Sequence, residues 1–213
     1  MWCCAIVAGT VFASASVLPA FAQSSQERRV AAAASPRAAC LQAVRAAERA
    51  HDIPEGLLVA MALNESGLHA YALNIGGRAY YPSSREEAQR LYWNALGRTA
   101  VMAGCVQVNA GVHARRGDWP LDPVAAADWA ARYLRKHYER TGDWTRALIR
   151  WHGGSPQSSA RVVCRVRAKM ETTMPPGRAA VLDGAGCGGE TSMARLRRNG
   201  RALLELAEAG AER

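Results

Sequence analysis

The chain has 213 residues, 49% of them hydrophobic and 21% charged, with a formal net charge of +9. That length supports one domain with a proper core plus a tail and hardly two domains. The excess of Lys and Arg favours anionic partners, but these residues are scattered and carry no helix-turn-helix, zinc-finger or RNA-binding signature. Nucleic acid is therefore not expected, and an anionic cell wall or membrane surface fits better.

Residues 1–22 contain no charge and end in Ala20-Phe21-Ala22 before Gln23, a small-x-small cleavage pattern. They are expected to be a cleavable signal peptide leading to the periplasm, with residues 23–36 as a linker. No Lys or Arg precedes the apolar run, so a wrongly assigned start or an uncleaved inner-membrane anchor is the alternative. Cys3 and Cys4 would leave with the leader. Cys40, Cys105, Cys164 and Cys187 remain, an even number suited to an oxidising compartment. No Cys-x-x-Cys occurs and His51, His69, His113, His137 and His152 form no paired ligand motif, so neither a metal nor another cofactor is expected. Phe12 and Phe21 both lie in the leader, which leaves Trp93, Trp119, Trp129, Trp144, Trp151 and the tyrosines either to line a sugar cleft or to cap a small helical core.

Along the chain, a first helix is expected over residues 36–50. Asp52 with Glu55 reads as an Asp-x-x-Glu start for a second helix over 54–64, the most apolar in the chain, which Gly67 stops. Leu58, Met61, Ala62 and Glu65 stand at i, i+3, i+4 and i+7, so the Glu65 carboxylate shares the core-facing stripe. Burial raises the pKa of such a group, and the negative end of the helix dipole pushes the same way, giving a general acid near neutral pH. Residues 73–75 and 78–81 around Gly76-Gly77 form a hairpin candidate, with a third strand expected over 105–108. Ser84 with Glu87 opens a helix to about residue 96, closed by Gly97. Asp122-Pro123 starts another that runs to about 140, Asp143 caps one reaching 151, and 159–170 is a weaker helical stretch. A Pro/Gly-rich linker then precedes a basic helix over 192–208. The expected fold class is mainly α with a small β-hairpin or three-stranded flap.

Four pieces occur in order: Glu65-Ser66-Gly67 at a helix end, the hairpin from Leu73 to Tyr81, Gly104-Cys105-Val106-Gln107-Val108-Asn109, and Trp151-His152-Gly153 after a capped helix. Over residues 38–170 this order resembles the lytic transglycosylases of goose-type lysozyme-like fold, in particular the short exported members related to secretion-system peptidoglycan enzymes. The resemblance implies a lysozyme-like domain over 37–170; the flexible linker and basic helix over 171–213 are expected to be dispensable for chemistry, because the Pro/Gly-rich stretch separates them from every motif. It implies peptidoglycan glycan strands as substrate, an envelope-spanning secretion machine as a possible partner, a monomer, and no cofactor.

The resemblance also implies roles. Glu65 would protonate the oxygen between N-acetylmuramic acid and N-acetylglucosamine, then take the C6 hydroxyl proton to close a 1,6-anhydro ring. Ser66 would orient the carboxylate or the acetamido group. Gln107 and Asn109, one strand period apart, would face the sugar or else bond the turn beneath them. Trp151, standing where many members carry Tyr, would form cleft wall beside His152, and Tyr80 is a further substrate contact. A lysozyme-type hydrolase and a non-catalytic wall-binding assembly module are the rival readings. Cys40 and Cys105 both lie inside the domain and are expected to pair, a loop closure worth about 4 kcal/mol on the chain-entropy model; Cys164 and Cys187 straddle its end and form the second pair.

Overall fold

The computed structural model describes residues 35–174, 178–182 and 186–211. The expected signal peptide, and the linker as far as residue 34, lie outside the described residues. Among the described residues no helix is long and apolar enough to cross a membrane.

Helix α1 (Pro36–Ala50) starts at Ser35, whose hydroxyl accepts from the Ala38 N–H, with Pro36 in the first turn where its missing donor costs nothing. Helix α2 (Leu57–Glu65) is buried at every position from Leu57 to Leu63. The expected apolar stripe is thus a helix that is apolar all round, and such a helix needs neighbours on every side. The start expected at Asp52 and Glu55 is also corrected. Asp52 takes a left-handed conformation, φ 49°, and Ile53 N–H bonds back to Glu48 O at 3.0 Å. Asp52 therefore ends α1 in a Schellman-type turn and does not open α2.

The cap of α2 comes from elsewhere. Gly56 at its N-terminus is left-handed and offers no side chain. The buried Glu48 carboxylate of α1 accepts the N–H groups of Gly56 (3.0 Å), Leu58 (2.7 Å) and Val59 (3.0 Å). One acidic side chain thereby satisfies three donors that a buried helix end would otherwise leave unpaired, and a negative charge sits at the positive end of the dipole.

The chain next forms β1 (Leu73–Ile75), β2 (Arg78–Tyr80), α3 (Arg85–Ala95), β3 (Val101–Ala103) and β4 (Val108–Asn109). The strands make one antiparallel sheet in the order β2-β1-β3-β4, with Leu73 opposite Tyr80 on one side and Ala103 on the other. The sheet has four strands where three were expected. Residues 104–107 form a turn, and the pairing on β1 comes from Val101 to Ala103 instead. Leu73, Tyr92, Val101 and Leu121 build a small second core beneath it.

Helix α4 (Ala110–His113) and a short 3₁₀ turn (Trp119–Leu121) lead into α5 (Pro123–Thr141), α6 (Trp144–His152) and α7 (Pro156–Thr173). Asp122 Oδ1 caps α5 through the N–H groups of Val124 and Ala125, and Asp143 caps α6 through Arg146. α7 begins earlier than expected because Ser155-Pro156 repeats the cap-plus-proline device, with Ser155 Oγ accepting from Ser158 N–H. It lies along α2, while α5 packs on α1.

The last helix, α8 (Glu190–Ala209), is not a separate tail. It packs along α7 and reaches α1 and α2, burying Met193, Leu204 and Ala207. Arg197, one of the cations of the expected basic helix, pairs with Glu171 at 2.7 Å and with Glu190. The structure pairs Cys40 with Cys105 and Cys164 with Cys187, with Cα atoms 5.7 and 5.3 Å apart. The second bridge joins α7 to the segment leading into α8.

Two outcomes follow. Glu48→Ala should destabilise the domain by about 3 kcal/mol, since it strands several buried donors at once, and urea denaturation of wild type and variant measures this. A chain ending after Met170 should lose cooperative thermal unfolding or melt well below the full chain, because it removes the helix that packs on α7, α1 and α2 and takes Leu204 and Ala207 out of the main core.

Candidate active site

Glu65 ends α2 at the point where the helix leaves the core. It keeps part of its surface exposed, yet protein surrounds it densely enough that burial raises its carboxyl pKa above the usual value. A hydrogen bond from Asn64 Nδ2 to Oε1, 3.1 Å long, and the positive charges of Lys169 and Arg165 pull the pKa back without cancelling the effect of burial. A proton is therefore held more tightly than on a free carboxyl, at a position that solvent can still reach.

Ser66 is buried, and its hydroxyl belongs to the backbone. Oγ donates to Cys105 O at 2.7 Å and accepts from His69 N–H at 3.0 Å. This bond, with the Cys40–Cys105 bridge beside it, fastens the Glu65-Ser66-Gly67 turn to the turn at 104–107. Glu65-Ser66-Gly67 and the Gly104–Asn109 piece are thus in direct contact through Ser66.

Residues 104–107, expected as part of a strand, form a turn. Gly104 has φ 78°, and a Cβ there would lie 1.8 Å from Pro120 O, so no other residue fits. Gln107 is also left-handed, φ 50°, and its Nε2 donates to Ala72 O (3.2 Å) and Gly104 O (3.0 Å). Its side-chain nitrogen is spent on holding the turn to the start of β1. Asn109 stands at the end of β4, ahead of α4. Because Gln107 lies in the turn, the expected shared strand face of Gln107 and Asn109 does not exist.

Tyr80 sits on β2 with the Arg78 guanidinium 5.3 Å from its ring centroid. The neighbouring Tyr81 is 60% exposed and meets the edge of His69, ring centroids 5.5 Å apart. Burial, chiefly, lowers the pKa of His69 to about 4, so this imidazole is neutral at physiological pH. Trp151 packs against the main core, and its indole N–H is buried and meets no acceptor among the described residues. His152 is the last residue of α6, before the left-handed Gly153. Among the described residues no hydrogen bond or ring contact joins Asn109, Tyr80, Trp151 or His152 to Glu65.

Most of the other aromatic rings cover the core. Trp129 stacks on Tyr133 at 5.0 Å and Tyr138 on Trp144 at 4.0 Å, and all but Tyr133 pack on the main cluster. Two surface hollows, one along α3 around Arg90 and Trp93 and one around His113 and Trp119, hold two of the rings named as possible cleft lining but none of Glu65, Ser66, Tyr80, Gln107, Asn109, Trp151 and His152. No group of three His, Cys, Asp or Glu among the described residues is placed to hold a metal ion.

Residues 42–162 match the transglycosylase SLT domain, more than half of the chain. The chain belongs to this family. No curated relative and no solved structure matches it. Membership assigns a lytic transglycosylase type of function acting on peptidoglycan, and so an extracytoplasmic place of action, with which two disulfides agree. Two buried charged residues were not singled out from the sequence, Glu48 and Lys169. Glu48 was detectable by the test applied to Glu65, since it shares the inward face of α1 with Leu41 and Val44.

Ser66→Ala leaves Cys105 O and His69 N–H without their buried partner and should cost about 2 kcal/mol. Chemical denaturation alongside turnover per folded molecule would show whether the loss of activity exceeds the loss of folded protein.

Proposed function

We propose that the chain is a lytic transglycosylase that cleaves the β-1,4 bond between N-acetylmuramic acid and N-acetylglucosamine, with Glu65 as its single acid and base. The observation carrying this reading is the setting of Glu65: a carboxyl at the end of the buried helix, partly exposed, with its protonated form favoured by burial.

In the first step the Glu65 proton goes to the glycosidic oxygen as the C1–O bond breaks and N-acetylglucosamine leaves. The acetamido oxygen of the muramic ring shares the charge at C1, which removes the need for a second carboxylate. In the second step the Glu65 carboxylate takes the proton of the C6 hydroxyl while that oxygen bonds to C1. Glu65 is protonated again, no water is consumed, and the product carries a 1,6-anhydro ring. Tyr80, Asn109, Trp151 and His152 are the candidate sugar contacts in this reading. Ser66 and Gln107 contribute through the turns they hold.

Glu65→Gln matches the carboxyl in size but can neither give nor take the proton. Turnover should fall by about 10⁴ or more, the upper end for a proton-transfer residue and beyond, because one group serves both steps. The sign for stability is opposite. A carboxyl whose folded pKa is raised contributes most stability below its unfolded pKa and loses it as pH rises through the folded value. At neutral pH the neutral amide escapes that loss, so the variant should melt at the wild-type temperature or slightly above. Release of anhydromuropeptides from purified sacculi at equal folded concentration, with melting curves alongside, tests both; full activity in the variant would refute the assignment of Glu65.

A further inference from the structure

Lys169 is an unusual residue to find buried, and its position explains itself only through Glu65. It lies on α7, beyond the last residue matched by the SLT family, and is 5% exposed. Charged groups are rarely buried without a partner. Among the described residues its Nζ makes one hydrogen bond, a 3.3 Å contact to Asn64 Oδ1. Asn64 in turn donates from Nδ2 to Glu65 Oε1 at 3.1 Å. The Asn64 amide is therefore held between a cation on its oxygen side and a carboxyl on its nitrogen side. Flipping it would set its NH₂ against an ammonium and its oxygen against a carboxylate, so charge polarity permits one orientation only.

The C-terminal helix creates this arrangement. Gly200 of α8 crosses so close that a Cβ there would meet Lys169 Cγ at 3.1 Å and Lys169 Cα at 3.6 Å. That contact covers the Lys169 stem and closes off one route to water. Leu203, one turn further on, lies against Gly67, where a Cβ would stand 3.3 Å from Leu203 Cδ1.

We propose that Lys169, seated by the C-terminal helix outside the family-matched region, is a positioning residue for the acid, acting on Glu65 through Asn64. The inference rests on the reading of Glu65 given above. The charges that act on Glu65 are Lys169 and Arg165, both on α7. From α1, Arg37 binds Gly67 O, and α8 approaches with Gly200 and Leu203, which carry no charge. Burial, and then Arg165, disfavour the Lys169 ammonium, and among the described residues the acidic group that favours it is Glu65. Lys169 thus fixes the amide that orients Glu65 and offsets part of the effect of burial on its proton.

The test is Lys169→Met, which keeps a long unbranched apolar stem and removes the cation. Rates are measured against pH on soluble, uncrosslinked peptidoglycan strands. Glu65 must be protonated to begin the reaction, so activity falls as pH rises through its pKa. Without Lys169 that alkaline limb should move to higher pH. Turnover on the acid side of the limb should fall on the order of tenfold through loss of orientation, with KM unchanged because Lys169 does not reach the sugar. Asn64→Ala should give the same loss of turnover, and the double variant should be no worse than either single one. Asn64→Ala also carries the test if Lys169→Met does not fold. A Lys169→Met profile superimposable on wild type, or losses that add in the double variant, would overturn the proposal. Glu65→Gln separates the two levels: if it is inactive while Lys169→Met is unaltered, only the role of Lys169 fails, and if it is active the reading of Glu65 fails first.

Discussion

A helix that is buried on every side has no solvent to satisfy its ends, and the burial of α2 sets this requirement for the whole molecule. Its first donors must be met from another element, which is why a carboxylate of α1 is buried beside them. Its last turn must be tied down without water, which is why Ser66 bonds Cys105 and Arg37 bonds Gly67. Its flanks need α1, α7 and α8 together. The advantage is rigidity: the residue that ends such a helix is held by the entire core, and catalytic groups gain most when their supports are rigid.

Two glutamates show how surroundings divide one side chain into two uses. Burial raises the pKa of Glu48 and Glu65 alike. Glu48 accepts three backbone N–H groups, which fill its oxygens and make it part of the backbone's hydrogen-bond accounting. Glu65 accepts from one amide and keeps the rest of its carboxyl available. It is this open hydrogen-bond capacity that the proposed mechanism uses.

Much of the fold was legible because much of it is local. Ser84, Asp122 and Asp143 cap the helices they precede, through bonds spanning two or three residues that composition alone reveals. The setting of Glu65 was legible for a similar reason, since helical periodicity places it at the end of the apolar helix. What the sequence concealed is non-local. Glu48 caps a helix 8 to 11 residues away, so the nearer Asp52 attracted a role that tertiary structure gave to another carboxylate. The strand at Val101–Ala103 is too short for alternation to register, and Gln107 leaves the strand geometry by adopting a positive φ that few side chains take. Lys169 was hidden among the basic residues of a helix whose exposure only the packing of α8 decides.

The turn at Gly104 changes what a conserved-looking motif can be taken to mean. Its glycine is required by Pro120, its cysteine by a bridge, and its glutamine by two carbonyls. These are demands of masonry, and a homologous chain that had abandoned wall cleavage would still have to obey them in order to fold. Retention of Gly-Cys-x-Gln in another genome therefore testifies to architecture, and on the proposed mechanism a silent copy, a pseudoenzyme, would be recognised by what has replaced Glu65.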